Sequence, residues 1–292
     1  MSWQLINRYN INENKWNEVV SLSRSRHITG LSWYLDIVSP QWYGLVWDDY
    51  QIIFPFAKKT KLFFPYFLQP PMITYFRPFS LIDINGEIFQ SLISVIKKKV
   101  IFADFYIDDL GFKSKYISDC RINYLLRLED IEDLRSMMSE HHLRKIKKME
   151  KNEPCLIQLT NVPTNFLNDF LCNSPYMLNE TELRNIIIKL GKNIEQYQLG
   201  GWWGLKIKDT IMAIALISIY HDILVFHSFT ANDKGRKSGA THYLIYKIIE
   251  NFKKSNGKII DFDGGNEEKM AFFYQGFGGK PYKYLELKIK KW

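Results

Sequence analysis

The stretch FTANDKGRKSGATHYLIYKII, residues 229–249, decides how this chain is read. It closes a β-branched and aromatic run at Thr230, which marks the end of a strand. A segment with two glycines and three cations follows, in which Lys234, Arg236 and Lys237 lie close to Gly235 and Gly239. From Gly239 the apolar residues fall at helical spacing, and the pattern continues to Gly257. Strand, glycine-rich basic loop and helix in that order can aim backbone N–H groups and a helix N-terminus at an anion. The same residues would also serve as a solvated basic loop ahead of an ordinary helix.

Downstream, KIIDFDGG reads as a buried strand that places Asp261 and Asp263 on one face. GGNEEKMAFFYQGFGGK, residues 264–280, is a glycine-flanked amphipathic segment carrying Tyr274, and YKYLELKIKKW closes the chain as a strand. Upstream, residues 200–230 predict three antiparallel strands with turns at 208–210 and 220–222. Before them come a strand at LIQLT and helices at TNFLNDFLC and NETELRNIIIKLG, the second with Asn179 as a candidate N-cap. The basic segment LEDIEDLRSMMSEHHLRKIKKMEKNEP predicts a helix closed by Pro154, and a domain boundary is placed just ahead of it, giving domains 1–127 and 128–292. The first half shows a helix near residues 16–25 and a strand–turn–strand around Asp48-Asp49. Pro55 and Pro65 confine the next strands to edges or ends, a helix starts near Asn85, and VIFADFYID is a strand. The predicted fold class is α/β in the α+β sense, with mixed, mostly antiparallel sheets flanked by helices.

The chain has 292 residues, enough for one large domain or two ordinary ones. Its net charge of +8 suits anionic partners, although acidic residues are interspersed. Three scattered cysteines, Cys120, Cys155 and Cys172, form neither a disulfide framework nor a zinc-ligand spacing, so no metal is expected. The N-terminus lacks an apolar h-region and no run reaches membrane-spanning length, which predicts a cytoplasmic protein without a transmembrane segment.

RKSGAT, residues 236–241, resembles the R/Q-x-x-G-x-G/A loop that holds the coenzyme A diphosphate in GNAT-type acetyltransferases, with Thr241 where that motif has Gly or Ala. Asn266, Ala271, Tyr274 and Gly276-Phe277 follow in nearly the order of the next GNAT helix. There the tyrosine is the acid that protonates the departing thiolate, a task suited to a phenol of pKa ~10. Residues 30–290 as a whole resemble the FemAB-like family of peptidoglycan aminoacyltransferase relatives, which pair two GNAT-fold domains. That family often carries F-K-x-x-F-G where this chain has Phe273-Tyr274-Gln275-Gly276-Phe277-Gly278. The helical hairpin that its tRNA-using members insert has no counterpart here.

The resemblance implies two tandem GNAT-like domains, the second holding the donor site. A coenzyme A thioester would be the donor substrate, bound by Phe229, Thr230, Lys234, Arg236, Lys237, Ser238, Gly239, Ala240, Thr241 and Asn266. Tyr274 would act as acid, with Asp261, Asp263 or His227 as candidate base or orienting group; the aspartates could equally cap the next helix and His227 could be structural. A small-molecule or peptide amine would be the acceptor, in an interdomain cleft that Asp104, Asp108 and Asp109 could line. Aminoacyl transfer from tRNA to a cell-wall precursor, and a non-catalytic binding module, are the alternatives. His141 and His142, adjacent on a helix, make a poor metal chelate.

Overall fold

The computed structural model describes residues 2–129, 131–174, 177 and 179–291. The chain divides into two compact units, Met1–Ile122 with Lys283–Trp292, and Asn123–Tyr282.

The first unit contains β1 (Trp3–Asn7), α1 (Glu13–Leu22), α2 (Ser32–Val38), β2 (Tyr43–Trp47), β3 (Ile52–Phe56), β4 (Lys58–Lys61), β5 (Phe64–Leu68), β6 (Phe79–Ser80), α3 (Gly86–Lys99), β7 (Phe102–Asp108) and the start of β8 (Ile117–Arg127). Strands β1-β2-β3-β6 form an antiparallel sheet, and the Asp48-Asp49 turn joins β2 to β3 as predicted. Asn85 caps α3 by accepting from the Ile88 amide at 2.9 Å. Helix α1 starts earlier than its apolar spacing suggested, because Asn12 caps it through the Lys15 amide. Trp16 on α1 is fully buried, donates its indole N–H to the Gly30 carbonyl at 2.8 Å and packs on the Trp42 ring. A Cβ on Gly44 of β2 would lie 2.6 Å from the Trp16 ring, so the strand can approach only without a side chain there.

The second unit continues from β8 with α4 (Glu140–Glu150), β9 (Cys155–Leu159), α5 (Thr164–Leu171), α6 (Thr181–Gln196), β10 (Gly200–Ile207), β11 (Thr210–Tyr220), β12 (Ile223–Ala231), α7 (Asp233–Ser238), α8 (Ala240–Lys254), β13 (Ile259–Asp261), α9 (Glu268–Gln275) and the start of β14 (Lys280–Lys290). Its strands lie in the order β8-β13-β12-β11-β10-β9, and β12–β13 is the parallel pair. Both predicted turns, at 208–210 and 220–222, join consecutive strands here.

Three details differ from the sequence reading. The division falls inside β8 rather than at residue 128, and β14 begins in the second unit and ends in the first. A strand carries its alternating pattern across such a boundary without a break, so composition did not mark it. The basic segment is not one helix: a 3₁₀ turn at Leu134–Met137 precedes α4, which Ser139 caps through the His142 amide. Glu180, without a side-chain bond, stands at the N-cap of α6 in place of Asn179, and Thr181 Oγ1 accepts from Arg184 at 2.9 Å. Among the described residues no helix is long and apolar enough to cross a membrane.

Removing Trp16 deletes a buried ring and leaves the Gly30 carbonyl unpaired. Trp16→Ala is expected to cost about 3–5 kcal/mol, read as a lower midpoint in urea unfolding.

A candidate functional site in the second unit

The site originates in a short strand. β13 pairs with β12 only from Ile223↔Ile259 to Val225↔Asp261, whereas β12 runs on to Ala231. Beyond that point the chain after β13 turns away, with Asp263 at φ +52° and Gly265 at φ +130°. The Asp261 carboxylate enforces the turn: it accepts from Asn123 Nδ2 and from the Asp263 amide, both at 2.8 Å, while the Gly264 amide donates to Asn123 Oδ1 at 2.7 Å. Gly265 then passes under the Tyr124 ring, where a Cβ would sit 2.3 Å from the ring carbon. Two parallel strands that separate at their carboxyl ends leave a crevice of the kind in which α/β proteins bind ligands. Here it is a cavity of about 390 Å³.

The β12 wall of the cavity is irregular. Leu216 pairs with Ser228 and Ile217 with Phe226, so His227 is the extra residue of a β-bulge. A bulge withdraws a residue's backbone from the ladder and re-aims it, which is why bulges occur beside active sites. The His227 ring is braced by Ser218 Oγ, 2.7 Å from Nε2. On the other wall, α9 supplies Tyr274, which is 5% exposed and stacked on Phe262 at 4.7 Å, with its ring edge-on to Phe229.

Tyr274, Asp263, His227, Phe229, Thr230, Arg236 and Thr241 therefore border one cavity. Asp261, Lys234, Lys237, Ser238, Gly239, Ala240 and Asn266 do not line it. Asp261 and Asp263 do not share a strand face, because β13 ends at the first and the second is left-handed. Asp104 and Asp108 lie on β7 of the first unit, and Asp109 just after it.

The segment before α8, expected as an open loop, is largely a helix. Asn232 caps α7 by accepting from the Gly235 amide at 2.8 Å, and α7 ends at Gly239, φ +88°. Gly239 packs so tightly on α4 that a Cβ would lie 2.9 Å from the Lys145 carbonyl. Arg236 donates to the carbonyls of Asn173 (2.6 Å) and Ala231 (2.9 Å) and pairs with Asp233. Helix α8 has no side-chain cap, and Thr241 in its first turn faces the cavity.

Asn173, Ser174 and Met177, which the sequence reading passed over, also line the cavity. Their segment is held by Arg184, buried inside α6, which donates to Asn168 Oδ1 at 2.8 Å and to the Met177 carbonyl. An arginine on the apolar stripe of that helix was the available signal.

Helix α9 rests on a histidine cluster. His142 is fully buried between Ser139 Oγ at Nδ1 and the Phe273 carbonyl at Nε2, both 2.9 Å away. A Cβ on Gly276 would lie 2.0 Å from that ring, which explains the glycine of the Gly276-Phe277 turn. The His242 ring packs against His142 at 4.7 Å. Burial pushes His142 down to about 4 and His242 down to about 3, with the neighbouring imidazoles adding to the shift.

No protein-family model and no curated protein sequence matches the chain. Solved structures do. FemX superposes with a TM-score of 0.69 at 11% identity, covering 97% of this chain and 96% of FemX. L-PGS from Bacillus licheniformis gives 0.59 at 12% identity over 96% of this chain and 92% of that one. A tandem GNAT protein from the clavulanic acid biosynthesis pathway gives 0.50 at 8% identity over 98% of both. The chain has the fold these proteins share, two GNAT-like domains in tandem, as the sequence resemblance implied.

The imidazoles of His142 and His242 are neutral in the fold at pH 7 and protonate near 6.5 once unfolded. Stability is therefore fully present above about pH 6.5 and declines as the pH falls toward 4, by up to about 1.4 kcal/mol per pH unit for each group. Denaturant midpoints at pH 7 and pH 5 measure the slope, and His142→Gln is expected to flatten it.

Proposed function

We propose that this chain is an acyltransferase that moves an acyl group from a coenzyme A thioester to an amine. One observation carries the reading: a phenol (Tyr274), a carboxylate (Asp263) and a bulged strand edge at His227 border the same cavity at the carboxyl end of β12. From Phe226 to Ala231 no described strand pairs with β12 on its β13 side, so an extended donor with amide groups can dock there as an added strand. The uncapped first turn of α8 favours an anionic donor group, and Thr241 places that turn at the cavity.

The chemistry follows from the groups at hand. Asp263 takes a proton from the acceptor ammonium, which frees the nitrogen lone pair. The nitrogen attacks the acyl carbon, a C–N bond forms, and the carbonyl oxygen takes up negative charge beside the bulge backbone. As that oxygen collapses back to a carbonyl, the C–S bond breaks and Tyr274 gives its proton to the sulfur. Asp263 returns its proton to solvent, and the second proton of the attacking nitrogen restores the phenol, so the sum is an amide, a free thiol and one released proton. His227, tied to Ser218, positions the bulge and is not the base. Arg236, already engaged by two carbonyls and Asp233, shapes the donor wall and is not a free diphosphate clamp. The protein is assigned to the cytoplasm, and no metal takes part in the steps above.

Aminoacyl transfer of the FemAB kind is the second reading, favoured by the superposition on FemX over 97% of the chain and by the net charge of +8. Tyr274 in the position of that family's lysine supports the acyl-CoA donor.

Titration calorimetry with acetyl-CoA is expected to show one site in the micromolar to millimolar range. Silence at millimolar donor, together with transfer of a labelled amino acid from charged tRNA, would move the assignment to the second reading. Given an acceptor, Tyr274→Phe is expected to lower kcat about 10²-fold or more while donor binding persists.

A further inference from the structure

The first unit carries an exposed apolar finger that acyl transfer does not use. Strands β4 and β5 form a hairpin whose two turn residues, Leu62 at φ +49° and Phe63 at φ +68°, are both left-handed. Two-residue turns of this kind normally use Asn-Gly or Gly-Gly, because other side chains resist positive φ. Here the turn holds two large apolar side chains in solvent: Leu62 is 77% exposed, Phe63 97% and the adjacent Phe64 59%. Alternation along β5 extends the stripe to Leu68, also exposed, while Phe67 points into the core.

The surroundings of the finger are cationic. No acidic residue occurs between Asp49 and Asp83, a stretch that contains Lys58, Lys59, Lys61 and Arg77. Two further basic segments reach the same end of the sheet. The Ile101 amide donates to the Pro65 carbonyl at 2.9 Å, which brings up Lys98 and Lys99 at the end of α3. Lys290 of β14 pairs with Phe102, the neighbour of Tyr66 on β5. Lys59, Lys61, Lys98, Lys99 and Lys290 are exposed and form no ion pair among the described residues.

We propose that the β4–β5 hairpin docks the protein on an anionic lipid bilayer, with Leu62, Phe63 and Phe64 inserted at the headgroup–acyl boundary and the surrounding lysines on anionic headgroups. Apolar and aromatic side chains at a tip with cations behind them match the two layers of such an interface, apolar within and negative outside. Burying the tip in a second protein would place the lysines opposite a surface that must supply matching carboxylates. A second copy of this chain would bring the same lysines together. The inference rests on the first unit and stands independently of the donor assigned above.

The test is co-sedimentation of the full chain with phosphatidylcholine vesicles, with and without a minority of phosphatidylglycerol. The chain is expected to pellet with the anionic vesicles, to remain in solution with phosphatidylcholine alone, and to be released by salt. The variant Leu62→Ser/Phe63→Ser/Phe64→Ser is expected to raise the lipid concentration for half-binding by about tenfold for each side chain withdrawn. Lys59→Glu/Lys61→Glu is expected to raise it about tenfold or more. Both alter exposed residues, and an unchanged circular dichroism spectrum checks the fold. In the otherwise native chain, Phe63→Trp is expected to gain fluorescence that bromine-labelled acyl chains quench. A wild-type chain that stays in solution with anionic vesicles, a triple serine variant that pellets like wild type, or indole fluorescence of the Phe63→Trp variant that the brominated lipid leaves unchanged would each overturn the proposal. So would a wild-type dimer that the triple variant converts to monomer.

Discussion

The hydrogen bonds between Asp261, Asn123 and the 263–264 turn are the constraint on which the second unit depends. A strand flanked on both sides would ordinarily continue its ladder for as long as its neighbours do. Asp261 ends this one by accepting two hydrogen bonds that belong to a turn, and Asn123 on β8 completes the arrangement. The buried carboxylate is satisfied by those donors, as a buried charge must be. The rest follows from the early stop: among the described residues β12 keeps an unpaired edge, the cavity opens beside it, and α9 returns at the distance that puts Tyr274 against Phe262.

The elements of this arrangement could be read from the sequence wherever periodicity and turn chemistry agreed. The hairpins of β10, β11 and β12, the start of α8 after Gly239 and the run from β13 to α9 all fall where apolar spacing and glycine or aspartate turns placed them. Tyr274, Asp263 and His227 were singled out by type and order, and they do converge. Two features had no signature in local sequence. The bulge at His227 is a mismatch between two strands and exists only once their register is set. The wall contributed by Asn173 and Met177 depends on Arg236, which donates to the Asn173 carbonyl, and on Arg184, which reaches Asn168 on α5 and the Met177 carbonyl.

The motif at 236–241 shows a different limit. Its residue types suggested an open loop with cations turned toward a ligand. In the fold, Asn232 caps a helical turn and Arg236 spends its donors on main-chain carbonyls. A pattern of residue types does not say whether a guanidinium faces a ligand or the chain itself, since both supply oxygen acceptors. What the motif did convey was Gly239, whose positive φ and close approach to Lys145 leave no room for another residue and fix where α8 begins.

The division of the chain has a consequence for how the molecule is made. Strand β14 follows every strand of the second unit in the chain, yet its final residues complete a sheet of the first unit beside β7. On the ribosome the second unit has nearly all its strands available while the first still lacks one. The usual order, in which the N-terminal body folds before the rest emerges, is thereby reversed for this part of the structure. Until residues 283–290 emerge, the edge of β7 that they cover stays open, and they must reach it before another strand does.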